Sequence, residues 1–89
     1  MLKTEFEIKN RVGLHARPAA ICVQTANKFE SNITVEQDGK EVNAKSIIGV
    51  LSLGAEKGSR IVIRIEGEDE QAAMNAFSEL VADKFGDEE

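Results

Sequence analysis

The residues from position 60 to 66 read Arg60-Ile61-Val62-Ile63-Arg64-Ile65-Glu66. In an extended chain, the three isoleucines of this run project to one face, whereas Val62 and Arg64 project to the other. β-Branched residues with a period of two favour a strand whose apolar face packs on a core. The run therefore predicts a central strand of a sheet.

The same alternation appears in two other places, and a hairpin signal predicts one more strand. At the start of the chain, charged residues alternate with Leu2, Thr4, Phe6 and Ile8, which predicts a first strand. Ile33 and Val35 alternate with polar neighbours and predict a second strand. Asp38-Gly39 is a tight hairpin signal, so a short strand from Lys40 to Val42 should pair with that second strand.

Two helices are predicted from apolar residues at helical spacing. The first should open near Ala16 and end near Lys28, with a buried stripe made of Ala19, Cys22, Val23, Ala26 and Phe29. Acidic residues at Glu68-Asp69-Glu70 favour the start of a second helix, which should end before Gly86. Its apolar stripe consists of Ala73, Met74, Phe77, Leu80 and Val81.

A shorter helix is predicted after Ser46, whose hydroxyl can cap it. Val50 and Leu53 would share one side of this helix, and the opposite side would carry Ile47, Ile48 and Leu51. A short helix on a small sheet cannot bury both sides, so we expect one of them to be partly exposed as a docking surface.

The predicted order is therefore strand, helix, strand, strand, short helix, strand, helix. Strands with one apolar face need cover on that face only. We expect an α+β fold in which one four-stranded antiparallel sheet carries three helices on one face (βαββαβα). The 89 residues predict a single domain over positions 1–89.

The one histidine of the chain, His15, stands where a loop is predicted to become a helix. Pro18 is tolerated in a first helical turn, because its missing N–H would have no intrahelical partner there. The free N–H groups of such a turn attract anions, and the Arg17 guanidinium can grip phosphoryl oxygens in a fork. His15 is therefore a candidate phosphate carrier, with Arg17 and the backbone N–H groups of Ala16 and Arg17 as phosphate contacts.

Two separated motifs carry a family resemblance. Gly13-Leu14-His15-Ala16-Arg17-Pro18-Ala19 and Asn43-Ala44-Lys45-Ser46-Ile47-Ile48-Gly49-Val50-Leu51-Ser52-Leu53-Gly54 resemble the HPr family, the histidine-containing phosphocarriers of the bacterial sugar phosphotransferase system. The resemblance runs the whole length of the chain. It implies an open-faced β-sandwich.

The resemblance also implies a function. His15 would be phosphorylated on Nδ1 by enzyme I, at the expense of phosphoenolpyruvate, and would pass the phosphoryl group to IIA domains of sugar permeases. Docking to these partners would use Ala20, Ile47, Ile48 and Leu51. Ser46 resembles the site of the ATP-dependent HPr kinase/phosphorylase, which links sugar uptake to carbon catabolite repression through a catabolite-control transcription factor. Phosphate on Ser46 would add charge beside the docking residues and weaken docking to enzyme I.

Composition agrees with a cytoplasmic phosphocarrier. Eleven basic residues against 16 acidic ones give a net charge of −5, which disfavours a nucleic-acid partner. The acids avoid positions 8–29, so the surface around His15 is expected to be basic or neutral. The single cysteine, Cys22, is expected in the core and fits a reducing compartment. No stretch has membrane-spanning length, and we expect a monomer that needs no cofactor or metal.

Other classes of protein are alternatives to a phosphocarrier of the sugar system. A regulator of the Crh type, an HPr paralogue, is expected to lack the active histidine, so His15 argues against regulation as the sole role. An acylphosphatase would need a phosphate loop that is absent, so we predict a carrier without independent turnover. A metal-carrying domain would need a Cys-x-x-Cys loop, which a chain with one cysteine does not supply. A nitrogen-system paralogue would share the same chemistry with different partners.

Overall fold

The computed structural model describes residues 1–86. In this part of the chain, a four-stranded sheet is built from β1 (Leu2–Glu7), β2 (Asn32–Gln37), β3 (Lys40–Asn43) and β4 (Arg60–Glu66). The helices are α1 (Ala16–Ala26), α2 (Ile47–Ser52) and α3 (Glu70–Ala82), and a 3₁₀ turn follows over Lys84–Gly86. The predicted order of elements is confirmed.

The sheet has the spatial order β1-β4-β2-β3, and every neighbouring pair is antiparallel. β4 lies inside the sheet, as its isoleucines predicted: Ile61, Ile63 and Ile65 are at most 1% exposed. In the register, Ile63 stands opposite Thr4 of β1 and Val35 of β2. The four-stranded antiparallel sheet with three helices is therefore confirmed.

The core lies between the sheet and the helices. Its buried members from α1 and α3 follow the predicted stripes and are Ala19, Cys22, Ala26, Ala73, Met74, Phe77 and Val81. Val23, Phe29 and Leu80 pack at its margin as partly buried residues. Cys22 is 1% exposed, and the expectation that it belongs to the core is confirmed. No helix in residues 1–86 is long and apolar enough to cross a membrane.

One helix end differs from the prediction, and another carries contacts that were not predicted. α1 ends at Ala26 rather than near Lys28, because the N–H groups of Lys28 and Phe29 bond the carbonyls three residues back, which is a tighter turn than the α-helical pattern. The acids before α3 do not act alike. Glu70 lies in the first turn, whereas the Asp69 side chain caps no amide of α3 and instead bonds the chain just before β2.

Candidate functional site

His15 is the N-cap residue of α1. Its backbone is extended (φ −124°, ψ 161°), its side chain is exposed, and within residues 1–86 the ring makes no capping hydrogen bond. The ring is therefore available at the surface. By helix geometry, the N–H groups of Ala16 and Arg17 have no intrahelical acceptor, and Pro18 has no N–H at all. The predicted cap position is confirmed.

The step from His15 into the helix passes through an unusual conformation. Ala16 has φ +47°, the left-handed region that costs a residue with a β-carbon about 1–2 kcal/mol. Buried neighbours hold it there, because Leu14, Pro18 and Ala19 on either side are all buried. Nothing in the sequence predicted this bend, since alanine gives no left-handed signal.

Arg17 is exposed in the first turn of α1. It takes part in none of the ion pairs found between Met1 and Gly86. An exposed guanidinium at this place can turn toward an anion carried by the nearby imidazole, because no acidic side chain of residues 1–86 pairs with it.

The loop that carries His15 rests on the loop before β4. The N–H of Ile8 donates to the carbonyl of Ser59 at 2.8 Å, and the N–H of Leu14 donates to the carbonyl of Ala55 at 2.9 Å. Gly13, with φ +68°, approaches so closely that a β-carbon there would lie 2.2 Å from the oxygen of Ala55. Only glycine fits, which explains this position of the motif.

The short helix α2 has one buried and one exposed side, as predicted. Val50 is 0% and Leu53 7% exposed, whereas Ile47 is 40%, Ile48 78% and Leu51 40% exposed. Ala20 is partly exposed on α1, which contacts α2, and we call these four predicted docking residues the apolar patch. Val12, in the His15 loop, is also 42% exposed and was not predicted as a surface residue.

Ser46 is the N-cap of α2, as predicted. Its Oγ accepts a hydrogen bond from the N–H of Gly49 at 3.1 Å, and the residue is partly exposed. Its neighbour Lys45, the sole charged residue between positions 42 and 55, donates from its ammonium to the carbonyl of Phe29 at 2.8 Å. That cation therefore ties α2 to the end of α1.

Two other groups bear on the chemistry. Burial raises the pKa of the Cys22 thiol to about 12, so this cysteine is neutral and unreactive at physiological pH. Within the described part of the chain, no group of three or more His, Cys, Asp or Glu side chains is arranged to hold a metal ion.

The chain is similar to known proteins over nearly its whole length. The family model described as "PTS HPr component phosphorylation site" matches residues 2–83. The phosphocarrier protein HPr of Xylella fastidiosa is 51% identical over 88 residues, which are 99% of each chain. The HPr-like protein Crh of Halalkalibacterium halodurans is 54% identical over 77 residues, covering 86% of this chain and 92% of that one.

The fold has a close match among solved structures. The crystal structure of HPr-C-His from Thermoanaerobacter tengcongensis superposes with a TM-score of 0.96 and is 53% identical, with full coverage of both chains (100% of each). The sequence motifs, the topology and these relatives therefore agree with one another.

Proposed function

The chain belongs to the HPr family of phosphocarriers of the phosphotransferase system, and we propose that it accepts a phosphoryl group on His15 from phospho-enzyme I and passes it to IIA domains of sugar permeases. The observation that carries this proposal is the exposed ring of His15 at the N-cap of α1, beside helix N–H groups that have no intrahelical partner. The same chain supplies Arg17 next to it.

The proposed step is a displacement at phosphorus. The unprotonated Nδ1 of His15 attacks, a nitrogen–phosphorus bond forms, and the bond between phosphorus and the donor breaks, with its electron pair leaving on the donor. The N–H groups of Ala16 and Arg17 and the Arg17 guanidinium face the negative oxygens during transfer. The reverse of this step, with a IIA domain as acceptor, completes the relay, so the chain shows no turnover of its own.

The interaction energies available at this site favour onward transfer of the phosphoryl group over its long-term retention. A helix N-terminus contributes about 0.3–1 kcal/mol to an anion, and each hydrogen bond to a charged group about 1.5–3 kcal/mol. Few such contacts are available at the exposed His15 site. They hold the phosphoryl group in place without making its departure slow, which is what a carrier between two proteins needs.

Docking is proposed to use the apolar patch. Exposed apolar side chains on a charged chain mark contact surfaces, and α2 leaves Ile48 78% exposed. The family assignment and the single buried cysteine support a cytoplasmic location, in which this chain meets enzyme I and the IIA domains as a single copy.

A transfer assay tests the main proposal. The chain is mixed with enzyme I, magnesium and labelled phosphoenolpyruvate, and the product should carry an acid-labile, base-stable label on His15. His15→Ala should take no label, and addition of a IIA domain should remove the label from the parent chain. A parent that stays unlabelled, while a known HPr in the same mixture is labelled, contradicts the proposal.

We also propose a second, regulatory role for Ser46, because its partly exposed hydroxyl caps α2 beside Ile47 and Ile48 and because the Crh relative is similar over most of its length. HPr kinase/phosphorylase would place phosphate there, and the product would act on a catabolite-control transcription factor. With ATP and this kinase, the label should be acid-stable and absent from Ser46→Ala. Label on any other residue of the parent contradicts this role.

A further inference from the structure

We infer that Asn10 is a positioning residue for phosphoryl transfer, which sets the direction of the His15 ring by fixing the peptide bond between Gly13 and Leu14; this inference rests on the proposed function of His15. Asn10 is one of two buried polar residues of the described chain, and it is 0% exposed. A buried amide five positions before the phosphate acceptor needs a physical reason.

The Asn10 side chain closes a turn in the loop that leads to His15. Its Nδ2 donates to the carbonyl of Gly13 at 2.5 Å, while its own backbone carbonyl accepts from the N–H of Gly13 at 3.2 Å. Because a carbonyl only accepts, the atom facing it must be the amide nitrogen, and neither aspartate nor an apolar residue can replace that donor.

The fixed peptide is held on both sides. Its carbonyl, from Gly13, is bonded to Asn10, and its N–H, from Leu14, is bonded to the carbonyl of Ala55 at 2.9 Å. A peptide unit is planar, so two bonds in opposite directions define its orientation. Leu14 is fully buried, so its side chain is also held in place. The position of the His15 Cβ relative to this plane therefore depends only on the backbone torsions of Leu14 and on the φ of His15.

The cost of the arrangement supports a role in positioning. Within residues 1–86, the Asn10 Oδ1 is buried without a hydrogen-bond partner. Such an atom costs stability, and this cost accompanies a hydrogen bond to the Gly13 carbonyl that an apolar side chain could not make. The gain that offsets it is the fixed direction of the Gly13 carbonyl.

Two variants remove the donor in different ways. Asn10→Leu keeps the volume and Asn10→Ala leaves space, so at least one should fold. We expect the limiting rate of transfer from phospho-enzyme I to fall about tenfold in both, since small misplacements of a reacting group are costly. The half-saturating concentration of phospho-enzyme I should stay within about twofold, because docking does not involve Asn10.

The matched control lies at the other end of the sheet. Ser31 is 2% exposed and sits beside the end of β4, whereas the His15 loop rests on residues before its start. Ser31→Ala should destabilise the fold while leaving the limiting transfer rate unchanged. Equal slowing in Ser31→Ala and the Asn10 variants would mean general loss of stability and would overturn the inference.

An NMR measurement separates this inference from the proposed function. Hydrogen exchange at the Leu14 amide should be faster in the Asn10 variants, and the ring resonances of His15 should move, while both stay unchanged in Ser31→Ala. If neither changes, the Asn10 inference falls, even if the parent carries phosphate normally. If the parent takes no phosphate, the proposed function falls, and these two signals still decide whether Asn10 positions the ring.

Discussion

His15 and Arg17 are two positions apart in sequence, and the backbone between them sets how the pair can meet an anion. His15 is extended, and Ala16, the first residue of α1, is left-handed. The motif placed His15 at a cap, because proline and alanine favour a first helical turn. The left-handed Ala16 and the buried Asn10 had no sequence signal, since the burial of Asn10 and of the residues that flank Ala16 depends on how the whole chain packs.

Replacing Arg17 tests whether this single side chain assists phosphoryl transfer. Arg17→Ala should slow phosphoryl transfer to His15 by about ten- to hundredfold, which corresponds to losing one hydrogen bond of about 1.5–3 kcal/mol to a charged group. The melting temperature should not change, because Arg17 is exposed and belongs to none of the ion pairs of residues 1–86. Quenched-flow transfer assays measure the rate, and thermal unfolding measures the melting temperature.

Arg17→Lys is the control for charge. It keeps one positive charge but loses the planar fork, so its transfer rate should lie between those of Arg17→Ala and the parent. Unfolding of the domain by Arg17→Ala would show that the arginine has a structural role and would refute the assignment.

At the scale of elements, α2 combines a capped start with two different faces. Ser46→Ala removes the bond from the Gly49 N–H and should lower the free energy of unfolding by about 1 kcal/mol in chemical denaturation. Ser46→Asp keeps an acceptor at the cap and should restore most of that stability. The aspartate should nevertheless weaken binding to enzyme I in calorimetry, because it sets a charge beside Ile47. Unchanged binding would argue against the regulatory proposal.

The exposed face of α2 can be tested separately from its buried face. Ile48→Ser should change the free energy of unfolding by less than about 0.5 kcal/mol, because the side chain is 78% exposed. It should weaken binding to enzyme I about tenfold, as a central apolar contact does.

Val50→Ala, on the same helix, is the matched control for that experiment. Val50 is 0% exposed, so the variant should lose about 2 kcal/mol of stability and, while folded, bind enzyme I normally. Normal binding by Ile48→Ser would remove Ile48 from the apolar patch as a docking residue.

At the scale of the whole molecule, side chains bridge elements that are distant in sequence. The Asp69 carboxylate, before α3, accepts from the N–H groups of Glu30 at 2.9 Å and Ser31 at 3.0 Å and from the Ser31 hydroxyl. On the open face of the sheet, the Arg64 guanidinium bonds Glu36, and that hydrogen bond lowers the pKa of the Glu36 carboxyl. These links join β2 to α3 and β4.

The Asp69 link makes a prediction about acid stability. The hydrogen bond from the Ser31 hydroxyl, followed by that from the Glu30 N–H, lowers the pKa of Asp69 below its ordinary value of 3.8. The unfolded chain therefore binds the proton first, so this stabilisation is complete well above pH 3.8 and is lost as the pH falls through the lower native pKa.

Chemical denaturation between pH 7 and pH 3 measures this effect. Asp69→Asn should be less stable than the parent at neutral pH, and the difference should shrink toward the acid end. Glu68→Gln, whose side chain is exposed, is a neighbouring control that should follow the parent. A constant difference between Asp69→Asn and the parent over the whole range would show that the charge of Asp69 does not stabilise the fold.

The features that could be predicted from the sequence are those that depend on residues close to one another along the chain. The alternation in β4, the stripes of α1 and α3 and the Ser46 cap are local patterns, and each was found where the sequence indicated it. The end of α1 was misjudged by two residues, because Phe29 packs at the margin of the core without being helical. The acids at positions 68–70 mark the start of α3 as predicted, but the hydrogen bonds that Asp69 accepts from Glu30 and Ser31 could not be read from the sequence.

By itself, the sequence determined the elements, their amphipathic faces and the position of His15 before a helix, because each depends on residues within a few positions of one another. Only the tertiary structure decided that Asn10 is buried under the His15 loop, that Gly13 must meet Ala55 without a β-carbon, and that Lys45 ties α2 to Phe29. Such contacts depend on which distant backbone groups the packing brings together, and no local pattern carries that information.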